Sequence, residues 1–125
     1  MKEVISTPKA PQAIGPYSQA IRSGNFIFCS GQIPLDPISM QVVGSTAAEQ
    51  TQQILSNLTA LLTSAGSDLN RVIKTTIFLK NMSDFETVNQ VYGRYFKVDP
   101  PARSTIEVAR LPKDVLVEIE CIAAG

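Results

Sequence analysis

A chain of 125 residues is sized for one domain, taken here as 1–125, and can bury about two-thirds of its unfolded surface. Lys+Arg and Asp+Glu both number 11 and no basic run breaks the mixture, which argues against nucleic acid or an anionic membrane as a partner. Histidine is absent, so Ser-His-Asp and Cys-His machinery and the commonest zinc ligand are gone, and any catalysis falls to Glu, Asp, Tyr, Lys or bound water.

Residues 1–8 lack the apolar core of a signal peptide and no apolar run approaches a membrane span, so a cytoplasmic protein is expected. An edge strand is expected near residues 3–6, followed by an irregular path through Pro8 and Pro11. Ile14-Gly15-Pro16-Tyr17-Ser18-Gln19 puts a Gly-Pro turn before an aromatic hydroxyl. Tyr17 there either packs half-buried or offers its phenol to a pocket. Residues 20–23 and 26–30 flank Gly24-Asn25, which reads as a tight hairpin turn. Ser30-Gly31-Gln32 then ends the second strand, as a plain turn or as a concavity of backbone N–H groups facing an anion. Cys29 and Cys121 fall in apolar, strand-like runs and read as buried free thiols.

Residues 34–44 read as a loop or irregular hairpin. Thr46-Ala47-Ala48-Glu49 has capping-box spacing and opens a helix that stops at Gly66. Its inward stripe is Ile54, Leu58, Leu61, Leu62 and Ala65, with Gln52, Gln53, Ser56 and Asn57 on the polar side. Residues 71–80 read as a strand with Ile73, Ile77 and Leu79 on one face and Val72, Thr76 and Phe78 on the other. Apolar residues on both faces mean that both are covered. Ser83-Asp84-Phe85-Glu86 repeats the capping-box spacing and opens a second helix, with Phe85, Val88, Tyr92 and Phe96 turned inward. Asn89 falls on that stripe, either as a satisfied buried amide or as a side chain reaching a ligand.

The last quarter reads as two strands joined by a turn. On the first, stiffened by Pro100 and Pro101, the residues Arg103, Thr105 and Glu107 share a face. On the second, Val115, Val117, Ile119, Cys121 and Ala123 alternate with Leu116, Glu118, Glu120 and Ile122. Such a hairpin makes one chemical centre, with an Arg to hold an anion and a Glu to handle a proton or a water. Two helices cover only one face of a sheet of about six strands, which gives an α+β fold. Self-association is the economical cover for the apolar second face.

The blocks Ile14-Gly15-Pro16-Tyr17-Ser18-Gln19, Ser30-Gly31-Gln32-Ile33-Pro34, Val72-Ile73-Lys74-Thr75-Thr76, Thr87-Val88-Asn89 and Pro101-Ala102-Arg103-Ser104, with the run to Val115, resemble the RidA family of reactive-intermediate (enamine/imine) deaminases. The resemblance runs in order over nearly the whole chain. It implies a chorismate-mutase-like α+β fold with a mixed sheet, and a homotrimer with sites in the clefts between subunits. The implied activity is hydrolysis of 2-iminobutanoate and 2-iminopropanoate, or their enamine tautomers, to 2-oxo acids and ammonia, with no cofactor and no metal.

Carried over by position, Arg103 matches the family's carboxylate-binding arginine and Glu118 the glutamate that orients the attacking water. Tyr17, Ser30, Gly31 and Asn89 match pocket-lining residues. Thr105 stands where many relatives have Cys and still offers a hydroxyl near Arg103. Glu120 matches no such role and reads as a salt-bridge partner or a solvated acid. Residues 96–101 form a short segment beside some members, which bears on the pocket wall. A non-catalytic trimer that binds small carboxylates would keep Arg103 and Ser30-Gly31 without needing Glu118. A ribonuclease or translation inhibitor would want a basic groove that this charge balance does not provide.

Overall fold

Alternation and helical periodicity resolve into six strands and two α-helices in the computed structural model, which describes residues 1–125. In chain order these are β1 (Lys2–Ile5), β2 (Ala20–Ser23), β3 (Phe26–Gln32), α1 (Ala47–Ser64), β4 (Val72–Leu79), α2 (Phe85–Tyr95), β5 (Ala102–Glu107) and β6 (Val117–Ala124). The strands form one sheet in the order β1-β2-β3-β6-β4-β5. Every neighbouring pair is antiparallel except β4–β5, so the sheet is mixed.

The capping box of α1 forms as its spacing predicts. The Glu49 N–H donates to Thr46 Oγ1 and the Thr46 N–H donates to Glu49 Oε1, both at 3.2 Å. Gly66, with φ 79°, takes the left-handed position that ends the helix. Ile54, Leu55, Leu58, Leu61 and Leu62 are wholly buried, in one core with Ile27, Ile77, Leu79, Val117 and Ile119 from the sheet. Each such side chain contributes about 1.5–3 kcal/mol. The polar flank of α1 is not simply solvated. Asn57 is buried and donates to the Leu35 carbonyl at 2.9 Å. Gln50 donates to the Gly44 carbonyl at 3.1 Å and accepts the Leu116 N–H at 2.7 Å. These amides tie the 34–44 loop and the start of β6 to the helix.

The last two strands do not form the expected hairpin. β4 lies between them, paired parallel to β5 and antiparallel to β6. The reason lies in the connection: β4 and β5 are joined through α2, and a crossover helix returns the chain in the same direction. The phase of β4 also changes at its start. Its register with β6 slips between Val72 and Lys74, which turns Val72 inward and leaves Ile73 46% exposed, the reverse of simple alternation. At α2, Ser83 is not the cap. A 3-10 turn at Met82–Asp84 precedes the helix and moves the N-cap to Asp84, which makes no capping bond. Phe85 accordingly stays exposed, while Val88, Val91 and Tyr92 form the buried stripe.

Both helices pack on the face that carries Thr75, Ile77, Val117, Ile119 and Cys121. The opposite, open face presents Phe28 and Ile106, each 45% exposed, beside half-buried Phe78 and Ile122. Neither helix is long and apolar enough to cross a membrane.

Replacing Thr46 with Ala removes the side chain that satisfies the Glu49 N–H. The expected cost is about 1 kcal/mol. In urea this appears as a lower midpoint with an unchanged slope. An unmoved midpoint contradicts the role given to the cap.

Candidate functional site

β3 bends where it meets β6. Cys29 faces Cys121 and Gln32 faces Ile119, so Ser30 and Gly31 together oppose the single residue Glu120, which is a β-bulge. Ser30 and Gly31 therefore stay within the strand and form neither a strand-ending turn nor an anion nest. The Ser30 N–H donates to the Gln19 carbonyl at 3.0 Å and its Oγ to the Ser18 carbonyl at 2.6 Å. Glycine at 31 has a steric reason. A Cβ there would overlap Glu118 Oε2 and stand 3.0 Å from its Cδ and 3.2 Å from its Cγ. The missing side chain is the space that Glu118 occupies.

Glu118 projects from the open face of β6, half-buried, and forms no ion pair within the chain. Burial, and then the like charge of Glu120, push its carboxyl above the ordinary glutamate value. It lines a cavity of about 580 Å³ with Tyr17, Ser30, Gly31, Lys113 and Glu120. Tyr17 is 51% exposed, so of its two readings the structure has the phenol at the cavity. Its hydroxyl accepts the Ile14 N–H at 3.2 Å, across the turn made by Gly15 at φ 123°. Glu120 is exposed and makes no salt bridge.

Sequence reasoning missed Lys113. It sits on a tight turn with Asp114, both at φ 55°, and Arg110 clamps Asp114 through bonds of 2.6 and 3.1 Å. The Pro112-Lys113-Asp114 run is a turn signal, but nothing local indicates that the turn folds over the Glu118 cavity.

Arg103 belongs to a second cluster. It stands opposite Thr75 on β4, on the helix-covered face, with its guanidinium carbon 5.0 Å from the Tyr92 ring centre and 5.6 Å from that of Phe85. Tyr92 is fixed in turn by a 2.7 Å hydrogen bond between its hydroxyl and Thr75 Oγ1. Arg103 pairs with no acid, and Glu107 instead accepts the Met82 N–H at 2.8 Å. Its planar donor fork lies on aromatic faces with its hydrogen bonds unspent. Asn89 lines the same small hollow, half-buried and without a hydrogen bond in the chain, so it is not the satisfied amide. Thr105, two residues along the same face, has a buried Oγ1 with no partner. A buried hydroxyl left unpaired is uncommon.

The structure thus brings Tyr17, Ser30, Gly31 and Glu118 together, and separately Asn89, Arg103 and Thr105. It does not bring the two sets together within one chain. Arg103 is in register with Thr75 and Cys121 on the helix face, whereas Glu118 is in register with Phe78 and Ile106 on the open face. One set is equipped to move a proton and the other to grip an anion.

The family model described as Endoribonuclease L-PSP matches residues 7–125. The chain is 56% identical to a RutC family protein of Pyrococcus horikoshii, over 98% of each chain. It is 50% identical to the 2-iminobutanoate/2-iminopropanoate deaminase of mouse, over 98% of this chain and 91% of the mouse protein. The crystal structure of E. coli TdcF with bound serine superposes with a TM-score of 0.94 at 40% identity, over 98% of each chain. The fold is chorismate-mutase-like α+β.

Gly31→Ala puts a methyl group where Glu118 lies. Only the end of a flexible side chain has to move, so the thermal midpoint should hardly change while a crystal structure finds Glu118 rotated off β3. A large loss of stability with Glu118 still in place contradicts this reading of the bulge.

Proposed function

The chain belongs to the RidA/YjgF/L-PSP (RutC) family, and on that premise we propose that it hydrolyses 2-imino acids, such as 2-iminobutanoate and 2-iminopropanoate or their enamine tautomers, to 2-oxo acids and ammonia without a cofactor. The observation that carries the proposal is the pair of unspent groups: an arginine with no acid and a half-buried glutamate with no cation. In this reading Arg103 grips the substrate carboxylate through two parallel hydrogen bonds, which a lysine ammonium cannot reproduce. Glu118 takes a proton from a water as the water oxygen bonds to C2. Both protons of that water reach nitrogen, the first as the C2–N double bond becomes single and the second from the new hydroxyl, so that the C2–N bond breaks, ammonia leaves and the 2-oxo acid forms. The imino carbon is already electrophilic, so positioning carries much of the rate. Serine bound to TdcF is a ligand of the same small α-carboxylate kind.

The two groups lie on opposite faces of one sheet, so the proposed site is completed by a second copy. Arg103, Asn89 and Thr105 of one protomer meet Tyr17, Gly31 and Glu118 of the next, in a homotrimer. The exposed Phe28 and Ile106 on the open face are suited to such burial. The endoribonuclease description of the family model finds less support. Lys113 is the one cation of the Glu118 cavity, against two acids.

A dehydratase acting on threonine or serine generates the imine, and release of the 2-oxo acid is followed with and without this protein. Acceleration is expected, and none across several imino acids would sink the proposal in favour of a binding module. Glu118→Gln should lower turnover by roughly 10²-fold or more, with Glu120→Gln far milder. Equal effects would mean that the wrong glutamate has been assigned.

A further inference from the structure

Between β1 and β2 the chain leaves the sheet, and residues 6–16 make no ladder bond to the rest of the fold. One side chain gathers this strap. Gln19, 4% exposed, accepts the Thr7 N–H through Oε1 at 2.7 Å. Its Nε2 points its two hydrogens among three carbonyls, those of Thr7 at 3.0 Å, Ala10 at 3.2 Å and Pro11 at 2.7 Å. Its main chain meanwhile accepts the Ser30 N–H, so the same residue also holds the bulge that seats Glu118. Pro11 and Gln12, the far end of the strap, line the Glu118 cavity. Thr7 also meets Ser64, hydroxyl to hydroxyl at 3.0 Å, and Ala10 is buried in the core, but only the Gln19 carboxamide reaches Thr7, Ala10 and Pro11 together.

We propose that Gln19 is a positioning residue: it fixes the 7–11 strap as the wall against which the substrate lies and so sets affinity, leaving the chemical step to other groups. The inference rests on reading the Glu118 cavity as the substrate site. Without the carboxamide, the Thr7 N–H and three carbonyls lose their partner and turn to water, which draws Pro11 and Gln12 off the cavity. Arg103 and Glu118 are untouched, so turnover at saturation persists.

The test uses the assembled protein and compares Gln19→Met, which matches the length but has no hydrogen-bonding amide, with Gln19→Glu, which retains an acceptor for the Thr7 N–H. Ile54→Val is the control, a core methylene deletion that lowers stability away from the strap. The expected result for Gln19→Met is a rise of roughly tenfold or more in KM for 2-iminobutanoate and in Kd for 2-oxobutanoate, with kcat little changed. Ile54→Val should lower the thermal midpoint and leave KM and Kd alone. If Gln19→Met does not fold, the same shift is expected in Gln19→Glu. Wild-type KM and Kd in the folded variants, or unfolding of both, overturns the inference and makes Gln19 a structural anchor only. A wild-type protein that neither deaminates imines nor binds 2-oxobutanoate defeats the deaminase reading instead.

Discussion

Parallel strands need a crossover, and α2 is the crossover that joins β4 to β5. That constraint places the candidate functional groups. It puts α2 over β5, so that Phe85 and Tyr92 form an aromatic bed under Arg103. It also leaves β6 to pair with the other edge of β4, so that alternation along β6 turns Val117, Ile119 and Cys121 into the core and Glu118 out to the open face. Arg103 and Glu118 end on opposite sides of one sheet, where no rotamer change within a chain unites them. An activity that needs both has to be built between copies.

The groups offered for chemistry are also those that weaken the fold. Arg103 spends no hydrogen bond inside the chain, and Thr105 keeps a buried hydroxyl without a partner. Burial and Glu120 raise the Glu118 carboxyl, so it supports the folded state most fully below its ordinary value, and that support is lost as pH rises through the folded value. Stability comes from elsewhere: the leucines of α1, the sheet residues facing them, and the buried amides of Gln50 and Asn57 that hold loops to the helix. The bulge at Ser30–Gly31 joins the two concerns. It belongs to the ladder, yet its glycine makes the space in which Glu118 sits.

Much of the fold was legible because local chemistry decided it. Thr46 and Glu49 three apart specify a capped helix start, Gly24-Asn25 specifies the β2–β3 turn, and alternation from Val117 assigns the faces of β6 correctly. What failed depends on partners distant in sequence. Nothing near β5 reveals that β4 inserts between it and β6. Register slips at Val72 and at Ser30 are set by the neighbouring strand, so alternation misassigned Ile73, and the small residues Ser30 and Gly31 suggested a turn or a nest where the strand carries a bulge. Asn89 and Tyr17 left two readings open because a side chain's satisfaction depends on what folds against it. Lys113 escaped because loop closure over β6 is a tertiary event.

The proposed intersubunit site is tested most directly by subunit mixing. Arg103→Ala and Glu118→Gln chains are each purified, unfolded together and reassembled at equal amounts, with mass spectrometry showing that both chains occupy the same oligomers. If each site takes Arg103 from one protomer and Glu118 from the next, random assembly around a closed ring of three restores both wild-type groups at about a quarter of the sites. Imine deamination then recovers to about that share of the wild-type rate, although each variant alone is nearly inactive. Mixed oligomers with no more activity than the separate variants would contradict a site shared between subunits.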